Sequence, residues 1–554
     1  MNTAPLKRWL CTVSLGLATA CASPVGRTRF DNQPITTLVN DRRSIPEPRN
    51  RPFVPHLHQL DSVSATIDKP LAAKGKTRAL DINALGRVPD STWFTNRIGV
   101  RDISPEQILT GHGDDAGPMA AKPWKVVSTK VGGRSPGVQF IDANGVRYLL
   151  KFDQKGAPEL DTGADVVVQR LVWALGYNTP VDEIVYFERS DLVLADDAAV
   201  KDLYGNKRPM LVDDLEEILN ARNAPENGRY RGITSRFLPG VPIGGYARTG
   251  LRSDDPNDTI PHEHRRSIRA QQVLFGWLGH TDVKVDNTLD MWVEDGDAHY
   301  VRHYAVDFGN GLGVWAKGSD LPWSGFKHSV DLRYGLASML ALGFWTRPWE
   351  KVPDDVPEIR GVGWVETEHF DPGGFQTNQH YHAFAQMDPY DALWAAELLT
   401  HIEPKHIRAA VQAAQYTAPE AEDYLTRTLV ARQRKAEQYW FERVNPVDNF
   451  ELDADRFCFD DLLVKRGFDD GASTRYTLAL YNRQGRDTGW ASTPSSDHNG
   501  RICVDGVTPS RSQEGYTILG ITTLRADERL EPAFVHMAVD PSTSELRVIG
   551  VWRR

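Results

Sequence analysis

Cysteine is scarce in this chain, 4 residues in 554, and no Cys-x-x-Cys pair occurs, which removes a thioredoxin-like redox reading. No Gly-x-Ser-x-Gly elbow is present either, so the usual frame of a serine hydrolase is missing. His262-Glu263-His264-Arg265-Arg266 begins like a zinc-protease helix, but Arg266 stands where H-E-x-x-H needs its second histidine, and the segment reads as a polar helix start. His299 and His303 flank an expected strand and read as surface residues rather than metal ligands. Blocks of Lys and Arg are absent and the formal net charge is −10, so no nucleic-acid partner is expected. No repeat at solenoid or propeller spacing is visible.

What the chain does have is a globular composition, 40% hydrophobic and 25% charged, at a length that calls for two or three folded units. Lys7 and Arg8 precede an apolar run, Leu10 to Ala18, that is too short to span a membrane as a mature helix. Small residues then lead to Cys21, the layout of a secretory signal over residues 1–20. Ala18-Thr19-Ala20-Cys21 resembles a bacterial lipobox, which implies a lipid on Cys21 as the membrane contact. Ala18 stands where Leu is usual, so cleavage after Ala20 or Ala22 is the alternative. Ala22 and Ser23 lack the Asp of an inner-membrane retention signal, so the expected location is the cell envelope of a bacterium, at the outer membrane. Cys11 leaves with the signal. Cys458 and Cys503 remain as one disulfide or as two buried thiols.

Residues 21–56 are rich in Pro, Arg and Asn without an apolar period and read as a tether; 57–120 read as an irregular extension with one short helix after Ser104-Pro105-Glu106. Strands are expected at 125–130, 138–141 and 147–152, with a loop of glycines, Gly132-Gly133 to Gly137, between the first two. Helical spacing of Val166, Val167, Leu171 and Ala174 predicts a helix over 162–176. Further strands follow at 184–187, 192–195 and 231–237, and helices at 214–221, 264–278, 388–400, 403–414 and 419–444. From about 451 onward short apolar runs alternate with polar turns, which predicts a small β-rich domain over 451–554. The fold class expected is α+β.

The chemistry-bearing residues fall in one order. A glycine loop precedes the strand-borne Lys151, a helix with Asp165 follows, then comes His280-Thr281-Asp282-Val283-Lys284-Val285-Asp286-Asn287, and twenty residues on Asp307-Phe308-Gly309. In this order the chain resembles the protein-kinase-like superfamily over about 120–445, closer to divergent bacterial branches such as HipA-like toxin kinases and spore-coat-type kinases. The resemblance implies a bilobal fold over 121–450, with an N-lobe at 121–240 and a C-lobe at 241–450. It implies ATP and Mg²⁺ as cofactors: Lys151, paired with Asp165 (or with Glu159), grips the phosphates under Gly132, Gly133 and Gly137; Asn287 and Asp307 ligate the metal. Asp282 would accept the proton of an attacking hydroxyl, and Lys284 would lie beside the transferred phosphate.

Departures accompany the resemblance: the glycines do not fit G-x-G-x-x-G, Asp165 stands where Glu is usual, and no Ala-Pro-Glu follows Asp307. The expected function is thus an exported phosphotransferase that uses Mg-nucleotide on a hydroxyl of a protein or small molecule. The competing expectations are an inactive kinase-fold module that binds or supports the envelope, and transfer of a nucleotidyl rather than a phosphoryl group.

Overall fold

The computed structural model describes residues 29–51, 77–113, 117–131, 137–202, 204, 206–318, 321–351, 357–497, 499–511 and 513–553. The chain is mixed α+β and divides into two compact units, Ile35–Pro446 and one made of the residues up to Pro34 with Val447–Arg554.

In the larger unit, Ser104 caps α1 (Pro105–Thr110), its hydroxyl accepting from the Gln107 N–H. Strands β1 (Trp124–Thr129), β2 (Gly137–Ile141) and β3 (Arg147–Lys151) form an antiparallel meander in which Trp124 and Val126 turn inward while Lys125 faces water. Four more strands join them: β4 (Asp182–Phe187), β5 (Leu192–Lys201), β6 (Lys207–Pro209) and β7 (Tyr230–Arg236). The order across the sheet is β4-β7-β3-β2-β1-β5-β6, and only β1 with β5 is parallel. Helix α2 (Leu160–Ala174) follows β3 and is buried on almost every face. The short α3 (Val212–Asn220) sends Leu215 and Leu219 into the sheet's own core with Trp124, Phe140 and Phe187.

A second, larger core is built by helices. Its parts are α4 (Gln271–Leu278), α5 (Pro389–Thr400), α6 (Pro404–Ala413) and α7 (Ala421–Phe441), joined by Val168 and Leu171 of α2. The helix expected at 264–278 is interrupted at Ala270, a single turn Arg266–Arg269 preceding α4. Asp391, at the start of α5, fixes that turn by accepting from Arg266 Nε at 2.8 Å and Arg269 Nη1 at 3.1 Å. Between β8 (Val241–Pro242), β9 (Thr288–Asp295) and β10 (Ala298–Ala305), a small sheet of order β10-β9-β8 closes this region.

Residues 35–51, expected to belong to a tether, pack instead against this unit. Buried Asp41 accepts from the backbone and hydroxyl of Thr92, each at 2.8 Å, and Ile45 is buried with Ile243 and Val301. The cause is two well-placed side chains and an extended backbone that bonds neighbouring strands, for example Ile45 N to His299 O at 2.8 Å; none of this needs an apolar period. The described part of the expected extension is likewise structural, since Trp93, Phe94, Ile98 and Ile108 enter the helical core. His303, expected at the surface, is buried against Asp290 at 2.6 Å and stacks on Trp93.

The regular structure of the second unit is mostly strand. A three-stranded sheet, β11 (Val447–Asp453), β12 (Arg456–Asp461) and β15 (Arg501–Val504), accompanies a larger one. The larger sheet runs β14 (Asp487–Ser492), β13 (Thr474–Asn482), β16 (Thr517–Arg525), β18 (Ala533–Val539), β19 (Leu546–Arg553), with β17 (Glu528–Arg529) paired to β16. Cys458 and Cys503 are directly opposite on β12 and β15 and form a disulfide. Phe30 packs edge-on to His536, so residues 29–34 are part of this unit too. Among the described residues no helix is long and apolar enough to cross a membrane.

Candidate functional site

Lys151 ends β3, where the strand's alternation turns its side chain inward under α2. Its ammonium is 2.5 Å from Asp165 Oδ2 and 3.2 Å from Asp307 Oδ1. Burial alone would lower the Lys151 pKa, but Asp165 and Asp307 overcome it and hold the ammonium charged, above its ordinary value. Burial raises Asp165 against the pull of Lys151, while Lys151 brings Asp307 down to about 2. The other oxygen of Asp165 accepts from the Phe308 N–H at 3.1 Å. One carboxylate thus joins strand, helix and the segment that carries Asp307. Glu159, the other acid considered for Lys151, is elsewhere: it begins α2 and accepts from the backbone and hydroxyl of Thr417.

The two motif segments meet because the chain between them is a hairpin. β9 starts at Thr288 and β10 ends at Ala305, opposite one another in register, so Asn287 and Val306 emerge side by side and Val306 N–H donates to Asn287 O at 3.0 Å. Upstream, Gly279 ends α4 in the left-handed conformation, φ 62°, and turns the chain into His280. The buried His280 ring lies against Phe275 and Phe308, and burial lowers its pKa to about 4, so it is a neutral spacer between the segments.

Asp282 collects donors. Its Oδ2 accepts from Lys284 Nζ at 2.7 Å, Asn310 Nδ2 at 3.0 Å and Asn287 Nδ2 at 3.2 Å, and Asn287 Nδ2 also reaches Asp282 O at 2.6 Å. With the Asn287 nitrogen committed in this way, its carbonyl oxygen is the donor left for a ligand. Asp307 adopts φ 64°, unusual for a residue other than glycine, and its side chain is 46% exposed, against 9% for Lys151. A hard oxygen therefore stands at the open side of the cluster.

Lys151, Asp165, Asp282, Lys284, Asn287 and Asp307 are all brought to this region. Gly132 and Gly133 lie outside the described residues. Gly137 begins β2 opposite Lys151, and a Cβ there would come within 2.1 Å of Leu150 O. Glycine is thus required by the close strand pairing at this point.

Three contributors escape a reading by motif. Lys130 follows β1, and its charge acts on Asp307, Lys151 and Lys284; burial lowers its pKa. Its place two residues before Gly132 is the available signal. Asn310, next after Gly309, shares Asp282 with Asn287, and only its adjacency to the motif marks it. Asp182, on β4, is buried with Asp165 and Lys151 close by, and burial raises it to about 7; nothing local in the sequence marks it.

Among the described residues no group of three or more His, Cys, Asp or Glu is placed to hold a metal ion. No protein-family model matches the chain, and no curated protein matches it significantly.

Proposed function

We propose that residues 121–450 form a bilobal protein-kinase-like domain and that the Lys151 cluster is a phosphotransferase site for Mg-nucleotide, acting on a hydroxyl of a protein or small molecule. The observation that carries this reading is Lys151 held between Asp165 and Asp307, with Asp282, Lys284 and Asn287 alongside. Two separate apolar cores, one under the sheet within 124–219 and one among the helices, support the two-lobed arrangement. The export signal and a lipid on Cys21 complete the proposal and place the protein in the cell envelope, at the outer membrane.

The residues suit the group the reading requires. Asp307 and the Asn287 carbonyl are hard oxygen donors, the kind Mg²⁺ takes when it binds through few protein ligands and the phosphates themselves. When bound, the ion supplies positive charge to the oxygens of the transferring phosphate. The chain's own share is positioning. Lys151, fixed by two carboxylates, presents a cation to the phosphates. Lys284, Asn287 and Asn310 all donate to Asp282 at Oδ2, which leaves Oδ1 to take the proton of an incoming hydroxyl. Lys284 stands within reach to follow the charge as it moves to the transferred group.

Calorimetry of Mg-ATP binding tests this, with wild type expected to bind and Asp307→Ala to bind tenfold or more weakly. Binding by neither protein refutes the reading. A second reading, a module that binds without transferring, is favoured by the three donors that already occupy Asp282 Oδ2. It predicts Mg-ATP binding with no product and unchanged cellular function in Asp282→Asn.

A further inference from the structure

A cavity of about 550 Å³ lies apart from the Lys151 cluster, sharing none of its residues, and falls within the size of small-molecule sites. Its walls come from the loops before and after α1, the start of β3, the end of α2, the residues between α2 and β4, the end of β7 with the turn that follows, and β10. Four arginines line it, Arg97, Arg147, Arg236 and Arg302, and no Asp or Glu does. That is notable in a chain where 74 acidic residues outnumber 64 basic ones.

Neutral groups fix Arg97 and Arg147, and Arg302 has a tyrosine and an acid beside it. Arg97 Nη1 donates to the backbone oxygens of Trp173 and Tyr177 at 2.7 and 2.8 Å and lies over the Trp173 ring. Arg147 donates to Gln139 and sits over Phe237, with 4.8 Å from guanidinium carbon to ring centre. Arg302 bonds Tyr300 and is 3.7 Å from Asp295, a half-exposed acid outside the lining. Burial first, then the cations of Arg101 and Arg302, bring Arg97 down to about 10 against the pull of Asp90. Arg97 and Arg302 therefore feel one another's charge across the cavity, and both remain cations at neutral pH. Four guanidiniums lining one cavity whose walls carry no carboxylate suit a polyanion, and planar guanidinium forks match phosphate oxygens. The volume exceeds what one phosphate fills.

We propose that this cavity binds a ligand carrying two or more phosphate groups. Such chemistry comes from a soluble phosphate ester or from a phospholipid headgroup, and the test separates them.

Pyrophosphate in magnesium-free buffer and vesicles of cardiolipin, whose headgroup carries two phosphates, in phosphatidylcholine are titrated separately onto the full mature chain. The proteins compared are wild type, Arg147→Gln/Arg302→Gln and Asp307→Ala, each checked for native circular dichroism. Where the double variant does not fold, Arg147→Gln alone, at an exposed position, replaces it. The expected result is binding of one probe that weakens tenfold or more in the arginine variant and is unchanged in Asp307→Ala. Pyrophosphate binding of this kind assigns a soluble ligand, and vesicle binding alone assigns a headgroup. No binding of either probe, binding indifferent to the arginines, or binding lost in Asp307→Ala overturns the proposal.

Discussion

Replacing Asp165 separates the parts that one carboxylate joins, and the cost follows from its contacts. In Asp165→Ala, buried Lys151 loses its 2.5 Å partner and keeps only Asp307 at 3.2 Å, and the Phe308 N–H loses its acceptor. Breaking a buried ion pair costs about 3–5 kcal/mol when the survivor is left alone. Asp307 remains, so the ion-pair share is nearer 2 kcal/mol, and an unmet buried N–H adds about 1 kcal/mol. The expected destabilisation is about 3 kcal/mol. Asp165→Asn keeps an acceptor for Phe308 and should cost about 1 kcal/mol less than Ala. The assay is urea unfolding followed by tryptophan fluorescence, which reports chiefly on the larger unit because all but three of the 15 tryptophans lie in Ile35–Pro446. With a slope of about 3 kcal/mol per molar, the alanine variant should unfold about 1 M earlier. A midpoint shift below about 0.2 M in both variants would refute the account of Asp165 as a junction.

Other consequences are open to measurement. Asp391→Ala leaves the buried Arg266 and Arg269 guanidiniums without their shared acid, and a loss of about 3–5 kcal/mol is expected by the same assay; a loss under 1 kcal/mol contradicts the assignment. Asp182 is raised to about 7 by burial, with Asp165 adding to it, so the folded state holds a proton that the unfolded state releases near pH 4. Stability should then fall as pH rises from about 4 to about 7 and level off above it. Asp182→Asn should remove that slope, and equal slopes in both proteins would count against it. Reducing Cys458–Cys503, which span 45 residues, should cost the second unit about 4 kcal/mol on the loop-entropy account. Limited proteolysis of the C-terminal strands with and without reductant measures it, and identical cleavage rates contradict it.

Sequence exposes some of this site and conceals the rest for physical reasons. Lys151, Asp282, Asn287 and Asp307 are legible because each sits in a local pattern, a strand end or a short motif. Their meeting is less so, since it depends on the register of β9 and β10, which only the fold defines. Asp165 could be picked by helical spacing, but its hold on Phe308 is a contact across 143 residues. Asp182 and Lys130 act through space and carry no motif. The mixed α+β character could be read from the alternation of apolar patterns. The packing of residues 35–51 could not, because an irregular extended segment that bonds through its backbone leaves no period in its side chains.

The carboxylate of Asp165 has one consequence for how the site moves. Asp has a single methylene, so α2 must lie close to β3 for the ion pair to form, and the same group is fastened to Phe308. Withdrawing the helix would release Lys151 and the Asp307 segment in one event. The cluster is therefore expected to exist assembled or dismantled, with no stable position in which one of the two links is kept and the other is given up.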